Sequence, residues 1–372
     1  MEEDKNISIE PQEQQEQVRP VLIASRKTLD EYSLYLERLL VGFADASISA
    51  VLICPADYDV GPVVSPSVEV IYHPASRLPF TGEQNKRILF EKISKFKPNV
   101  VHCLCMLELS LAKQISSHFN LSCVLSVNSL DFTGGEPGIV SKTAAKIIVP
   151  SEIVAVNLEH FLPQLAGRIR RINIGSFVQS ATACFKKANV MPSLFSCFPS
   201  TDGAGLSGML DAIRHLSVDG YEFVTVLMGS GKMEKQVRRK LAQTGLSQSV
   251  SIVPMIQPYR AVLNAADIFI QPQPNNSFNL MLLEAMSVGC VVTACRGGID
   301  DLIINGQTAL VFNVNDSESI YTCLRQLLDS RETARKIARQ GQEYVRANHT
   351  VSKMVSDTIE TYQLALQESV KK

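Results

Sequence analysis

The polarity pattern along the chain alternates between two kinds of segment. Short runs are apolar at nearly every position: residues 18–24, 50–55, 68–72, 100–104, 123–127 and 146–150, with a more mixed run at 169–174. Between several of them lie stretches whose apolar residues recur every three or four positions. The first of these carries Tyr32, Leu36, Leu39, Leu40 and Phe43, and others cover 83–96 and 107–118. Strands that are apolar throughout are buried on both faces, and amphipathic helices between them are the crossovers of βαβ units. The rhythm loosens over about 176–192 and then restarts. Strands are expected at 193–197, 222–228, 249–253, 266–270, 291–294 and 308–312, with helices after Gly203-Ala204-Gly205, at 233–243 and at 280–288. Two successive doubly wound α/β modules follow from this pattern. The last long helix, 350–370, has no strand after it and must pack across something already built.

The expected organisation is a solvated acidic tail at 1–17, a first Rossmann-like domain over 18–180, a second over 190–345, and a crossing helix at 346–372. The tail holds six acids, one lysine and a run of glutamines, with little to bury. It is the reverse of a basic, then apolar, secretory leader, so a cytoplasmic setting is expected. At 372 residues, two domains of ordinary size account for the length.

Charge narrows the classes further. Lys and Arg total 36 against 37 Asp and Glu, which lacks the basic excess of a nucleic-acid binder. The uncharged stretch between Asp267 and Glu284 contains Pro272, Pro274, Asn275, Asn276 and Asn279, so it is no membrane span. The nine cysteines are an odd number, mostly in apolar runs, where cysteine serves as a small hydrophobe. Cys103 and Cys105 lack the spacing of a zinc knuckle or a redox pair, so reduced structural thiols and no bound metal are expected. Gly229-Ser230-Gly231-Lys232 is not a Walker loop, because the earlier glycine is missing and Met233 stands where Ser or Thr would hold magnesium.

The segment richest in chemistry runs from Ala265 to Phe312. A strand (Ala266-Asp267-Ile268-Phe269-Ile270) ends in a Pro/Asn loop that opens the helix Leu280-Met281-Leu282-Leu283-Glu284-Ala285-Met286. A strand follows, then Arg296-Gly297-Gly298, then Asn305-Gly306-Gln307-Thr308-Ala309-Leu310-Val311. Helix N-termini at the carboxyl edge of a parallel sheet are where nucleotide phosphates bind, and a glutamate on such a helix can accept hydrogen bonds from a ribose diol. Taken alone, Glu284 is equally an ordinary exposed helical residue.

As a whole, this segment resembles the donor domain of GT-B glycosyltransferases of family 4, retaining enzymes that use nucleotide-sugars. The resemblance is specific over 265–312 and looser over the rest of 20–345: Val100-Val101-His102, Asn173-Ile174-Gly175, Met228-Gly229-Ser230-Gly231 and residues 249–254 fall at recognisable places. It implies a GT-B fold, two Rossmann-like domains facing a cleft with the C-terminal helix crossing back to the first. It also implies transfer of a sugar from a nucleotide-sugar donor to a hydroxyl acceptor, with the nucleotide-sugar as substrate and no resident cofactor. Donor contacts are implied for Glu284, Ser277, Phe278, Asn279, Leu280, Gly229, Gly231 and Pro254.

Several positions depart from the family pattern. Asn276 stands where the first acid of a pair eight residues apart is usual, and Asn128 where a catalytic-loop histidine is usual. Pro199 and Ala204 replace an arginine and a lysine that neutralise the diphosphate, and Ser25-Arg26-Lys27-Thr28 replaces an early glycine-rich loop. Charge-assisted contacts contribute about 1.5–3 kcal/mol each, so losing two would weaken donor binding by roughly three to four decades. Lys27, Lys232 and Arg296 are candidate substitutes at the phosphates. The alternative is a catalytically inactive GT-B-like protein that binds a sugar, a nucleotide or a partner glycosyltransferase.

Overall fold

The computed structural model describes residues 17–61, 67–74, 82–131, 137–187, 190–198, 204–229, 231–256 and 259–370. The expectation of a free acidic tail lies outside these residues except for Gln17, which is exposed and whose Nε2 donates to Ser47 O at 3.0 Å.

The first domain runs β1 (Pro20–Ile23), α1 (Arg26–Asp45), β2 (Ala50–Pro55), β3 (Val68–His73), α2 (Gly82–Phe96) and β4 (Val100–Cys103). It continues through α3 (Leu109–Phe119), β5 (Ser122–Ser126), α4 (Pro137–Thr143), β6 (Ala144–Val149), α5 (Glu152–Phe161) and β7 (Ile169–Arg171). All strands pair in parallel, in the order β3-β2-β1-β4-β5-β6-β7. The order turns outward in both directions from β1 and β4, and the crevice at such a switch point is where doubly wound sheets bind ligands. Strands β1, β4 and β5 are buried at every position, as a sheet covered on both faces requires.

The second domain repeats the plan: β8 (Ser193–Cys197), α6 (Ala204–Val218), β9 (Val224–Met228), α7 (Lys232–Thr244), β10 (Val250–Val253), α8 (Arg260–Leu263) and β11 (Ile268–Gln271). Then come α9 (Leu280–Val288), β12 (Val291–Cys295), β13 (Ala309–Phe312), α10 (Ser317–Asp329) and α11 (Arg331–Asn348). Its sheet is again parallel, ordered β10-β9-β8-β11-β12-β13, with the switch point between β8 and β11.

The last helix, α12 (Val351–Val370), leaves the second domain and packs on α1, β4, β5 and β6 of the first. Tyr362 is its anchor. Its hydroxyl lies 2.6 Å from His102 Nδ1 on β4, and its ring meets Phe43 of α1 with centroids 6.0 Å apart. Ser122 Oγ donates to Ala365 O at 2.7 Å, and Lys146 Nζ pairs with Glu368 at 2.5 Å. Where α12 starts, the chain lies against the outgoing link between domains: Ser176 N donates to His349 O at 2.8 Å. The approach is close enough that a Cβ on Gly175 would stand 2.6 Å from Val351 Cα. Two chain segments therefore cross between the domains side by side.

Candidate functional site between the two sheets

The loop after β11 forms the floor of the cleft. Asn279 caps α9, its Oδ1 accepting from Leu282 N at 3.0 Å, which turns the chain sharply into the helix. A Gly-Gly turn holds the loop from behind. Gly298, at φ +66°, lies so close that a Cβ would stand 2.3 Å from Asn275 O, and Ile299 N donates to that carbonyl at 2.7 Å. Only glycine combines that conformation with that approach.

Asn128 and Asn276, far apart in sequence, come together here. Phe278 N donates to Asn128 O at 2.9 Å, and Leu130 N to Asn276 O at 2.7 Å, so the two loops form a short antiparallel bridge through Ser129 and Ser277. Tyr32 of α1 adds a bond from its hydroxyl to Phe278 O at 3.1 Å. The Asn276 side chain is exposed and its Nδ2 donates to Asp131 Oδ1 at 3.1 Å.

Two cavities of about 330 Å³ each open on either side of this bridge, and Glu31 and Ser277 border both. The one on the second-domain side is walled by Phe278, Asn279 and Leu280 together with Gln271, Met255 and Tyr259. The other, on the first-domain side, is walled by Lys27, Tyr32, Cys105, Ser126, Asn128 and Asp131. Burial raises the pKa of Glu31 above the usual carboxylate value, against the opposing effect of Lys27, whose Nζ is 3.9 Å away.

Glu284 departs from expectation. Its side chain has no exposed surface and borders neither cavity. Arg38 of α1 grips it bidentately, at 2.7 and 2.9 Å, Arg260 of α8 adds a bond at 2.9 Å, and Ser176 Oγ donates at 2.8 Å. Arg38 also donates to Gly175 O, and Arg260 to Phe177 O, each within 2.8 Å. The carboxylate thus joins both domains and the link between them, with its acceptor sites taken by protein donors. The sequence signal for Arg38 was a lone cation inside the apolar run Leu36 to Phe43, whose partner is 246 residues away.

Other expected contacts are scattered. Gly229 is buried, and a Cβ there would strike the Phe198 ring, which borders the second-domain cavity. Gly231, at φ +91°, is the N-cap of α7. Pro254 is exposed just past β10 and does not wall the cavity, whereas Met255 does. Arg296 is exposed and borders neither cavity; Lys27 borders the first-domain one. The side chain of Lys232 and the segment holding Pro199 lie outside the described residues. Among the described residues walling the second-domain cavity there is no Lys or Arg, and Asp30 and Glu31 contribute carboxylates.

Behind the first-domain cavity, His102 is fully buried, with Nε2 2.8 Å from Ser126 Oγ and Nδ1 on Tyr362. Burial pushes its pKa down to about 3, so the ring is neutral. Among the described residues no cluster of three or more His, Cys, Asp or Glu is placed to hold a metal ion, and no helix is long and apolar enough to cross a membrane.

Comparison with known proteins agrees with this geometry. The chain is 24% identical over 292 residues to the sulfoquinovosyl transferase of Arabidopsis thaliana, a match covering 72% of this chain and 57% of that protein, so the chain spans little more than half of that relative. A glycosyltransferase of Rickettsia africae superposes with a TM-score of 0.78 at 14% identity, over 95% of this chain and 99% of that one. The Anabaena HepE structure in complex with UDP and glucose gives a TM-score of 0.76 at 14% identity, over 92% and 99%. Residues 201–344 match the family described as glycosyl transferases group 1. The fold is of the GT-B type, and its second domain is similar to the group 1 glycosyl transferases.

Proposed function

We propose that the protein is a divergent glycosyltransferase that takes a sugar from a nucleotide-sugar and passes it, with retention, to a hydroxyl acceptor in the cytoplasm. The observation that carries this reading is the pair of cavities bordered in common by Ser277 and Glu31. A transfer reaction needs two ligands held against each other, and one cavity belongs to each domain. In this reading the donor occupies the second-domain cavity beside Ser277, Phe278, Asn279 and Leu280, and the acceptor lies beside Lys27 and Asn128. Glu284 acts on the donor through the placement of α9 and the closure of the domains, as a positioning residue. The test is calorimetric titration with UDP-, GDP- and ADP-sugars, followed by an assay of nucleoside diphosphate release. Tight binding of one donor with slow release is the expected result, and absence of binding across the panel refutes it.

One observation favours a second reading, a GT-B module that binds without transferring. Asn276 is tied to Asp131, and the described wall of the donor cavity offers no cation to a diphosphate. Donor binding with no turnover in the presence of varied acceptors, or capture of a partner glycosyltransferase that restores it, would select this alternative.

A further inference from the structure

Gln271 ends β11 at the carboxyl edge of the second sheet and borders the donor cavity. Only 4% of it is exposed, and its Nε2 is a buried donor without a hydrogen-bond partner. The orientation of this amide is fixed by its neighbours. Asn279 Oδ1 must be the acceptor facing Leu282 N, at 3.0 Å, because a backbone N–H can only donate. Asn279 Nδ2 is then a donor, and the Gln271 atom 2.8 Å from it must be the oxygen. The NH2 group of Gln271 is left over. The chain Leu282 N–H, Asn279, Gln271 is a row of aligned amide dipoles that starts at the positive end of α9, so each bond polarises the next. A buried donor left without a partner costs free energy, and a bound ligand can recover it.

We propose that Gln271 is a specificity-determining residue, its Nε2 donating to a hydroxyl oxygen of the transferred sugar. The surroundings select a neutral, hydroxylated group over a phosphate. The described wall contains the carboxylates of Asp30 and Glu31 and no Lys or Arg, which suits O–H donors and repels an anion. An amide donor and carboxylate acceptors in one wall match alternating acceptor and donor oxygens of a sugar ring.

The inference rests on the nucleotide-sugar reading, and the experiment separates the two. Affinities of the wild type, Gln271→Met and Gln271→Glu are measured for UDP and UDP-glucose, GDP and GDP-mannose, and ADP and ADP-glucose, together with the melting temperature of each unliganded protein. Methionine keeps the length and removes both the orphaned donor and the acceptor for Asn279; glutamate keeps that acceptor and puts a carboxylate oxygen in place of the donor. Gln271→Met should lower affinity for the sugar-nucleotide by about 2–10-fold, the worth of one neutral hydrogen bond, and leave the matching diphosphate unchanged. A purely structural role would lower stability with no selective loss of sugar affinity. Equal affinity for the sugar-nucleotide in both variants and the wild type, or an equal loss for the bare diphosphate, overturns the inference alone. Failure of the wild type to bind any member of the panel overturns the nucleotide-sugar reading and this inference with it.

Discussion

A carboxylate with no exposed surface must be matched by cations, and Glu284 has two. Removing one partner of such a buried pair costs about 3–5 kcal/mol, because the charge left behind stays desolvated. Glu284→Ala would strand Arg38, itself only 5% exposed, and the denaturant midpoint should fall by that order. Asn276→Ala, at an exposed position, should stay within about 0.5 kcal/mol of the wild type. Equal stabilities of the two variants would contradict the ion-pair account. His102 gives a second test. Its folded pKa of about 3 lies below the ordinary 6.5, so between those values the unfolded chain holds a proton that the folded chain refuses. Stability should therefore drop as pH falls below 6.5, with a slope of about 1.4 kcal/mol per pH unit for this one group. Burial lowers the pKa of His349 as well and adds to the slope. In His102→Gln the slope should flatten by up to one proton, and an unchanged slope would place the acid sensitivity elsewhere. At this scale the sequence was partly legible. The eight-residue spacing of Asn276 and Glu284 located the loop and helix, but which side chains reach the cleft depends on partners such as Arg38, which no local pattern announces.

At the scale of elements, reading was easier, because continuous Val/Ile/Leu runs bounded by turns leave little alternative to buried strands. Strand 193–197 and helix 280–288 fall where the pattern put them, since β8 follows Pro192 and α9 is bounded by Asn279 and Gly289. Residues 169–174 were read as one strand, yet β7 stops at Arg171, where the chain turns away to cross between domains. What the pattern could not convey is how tightly loops press on one another. Gly298→Ala would add a methyl group 2.3 Å from Asn275 O in a left-handed conformation, at a conformational cost of about 1–2 kcal/mol before any clash. The loop at 275–279 should shift, so sugar-nucleotide affinity should fall together with the melting temperature. Unaltered affinity would mean that this loop does not contact the donor.

For the whole molecule, the crossing helix α12 is the feature with the widest reach. Tyr362→Phe keeps the ring against Phe43 but leaves His102 Nδ1 without its partner, which should cost about 1–3 kcal/mol in chemical denaturation. A neutral result would show that another group takes up that nitrogen. The same helix has a consequence in time. Ser126 and Tyr362, both in contact with His102, lie 236 residues apart, so the cover that α12 lays over β4, β5 and β6 is made long after those strands. At about 5–20 residues per second, the stretch between them takes roughly 10–50 s to emerge from a ribosome. Throughout that interval β4, β5 and β6 lack this cover, while the second domain completes its own sheet and can fold ahead of it. The first domain to be made is thus the later one to close, and a nascent chain of this protein would present apolar strand surface to chaperones for tens of seconds.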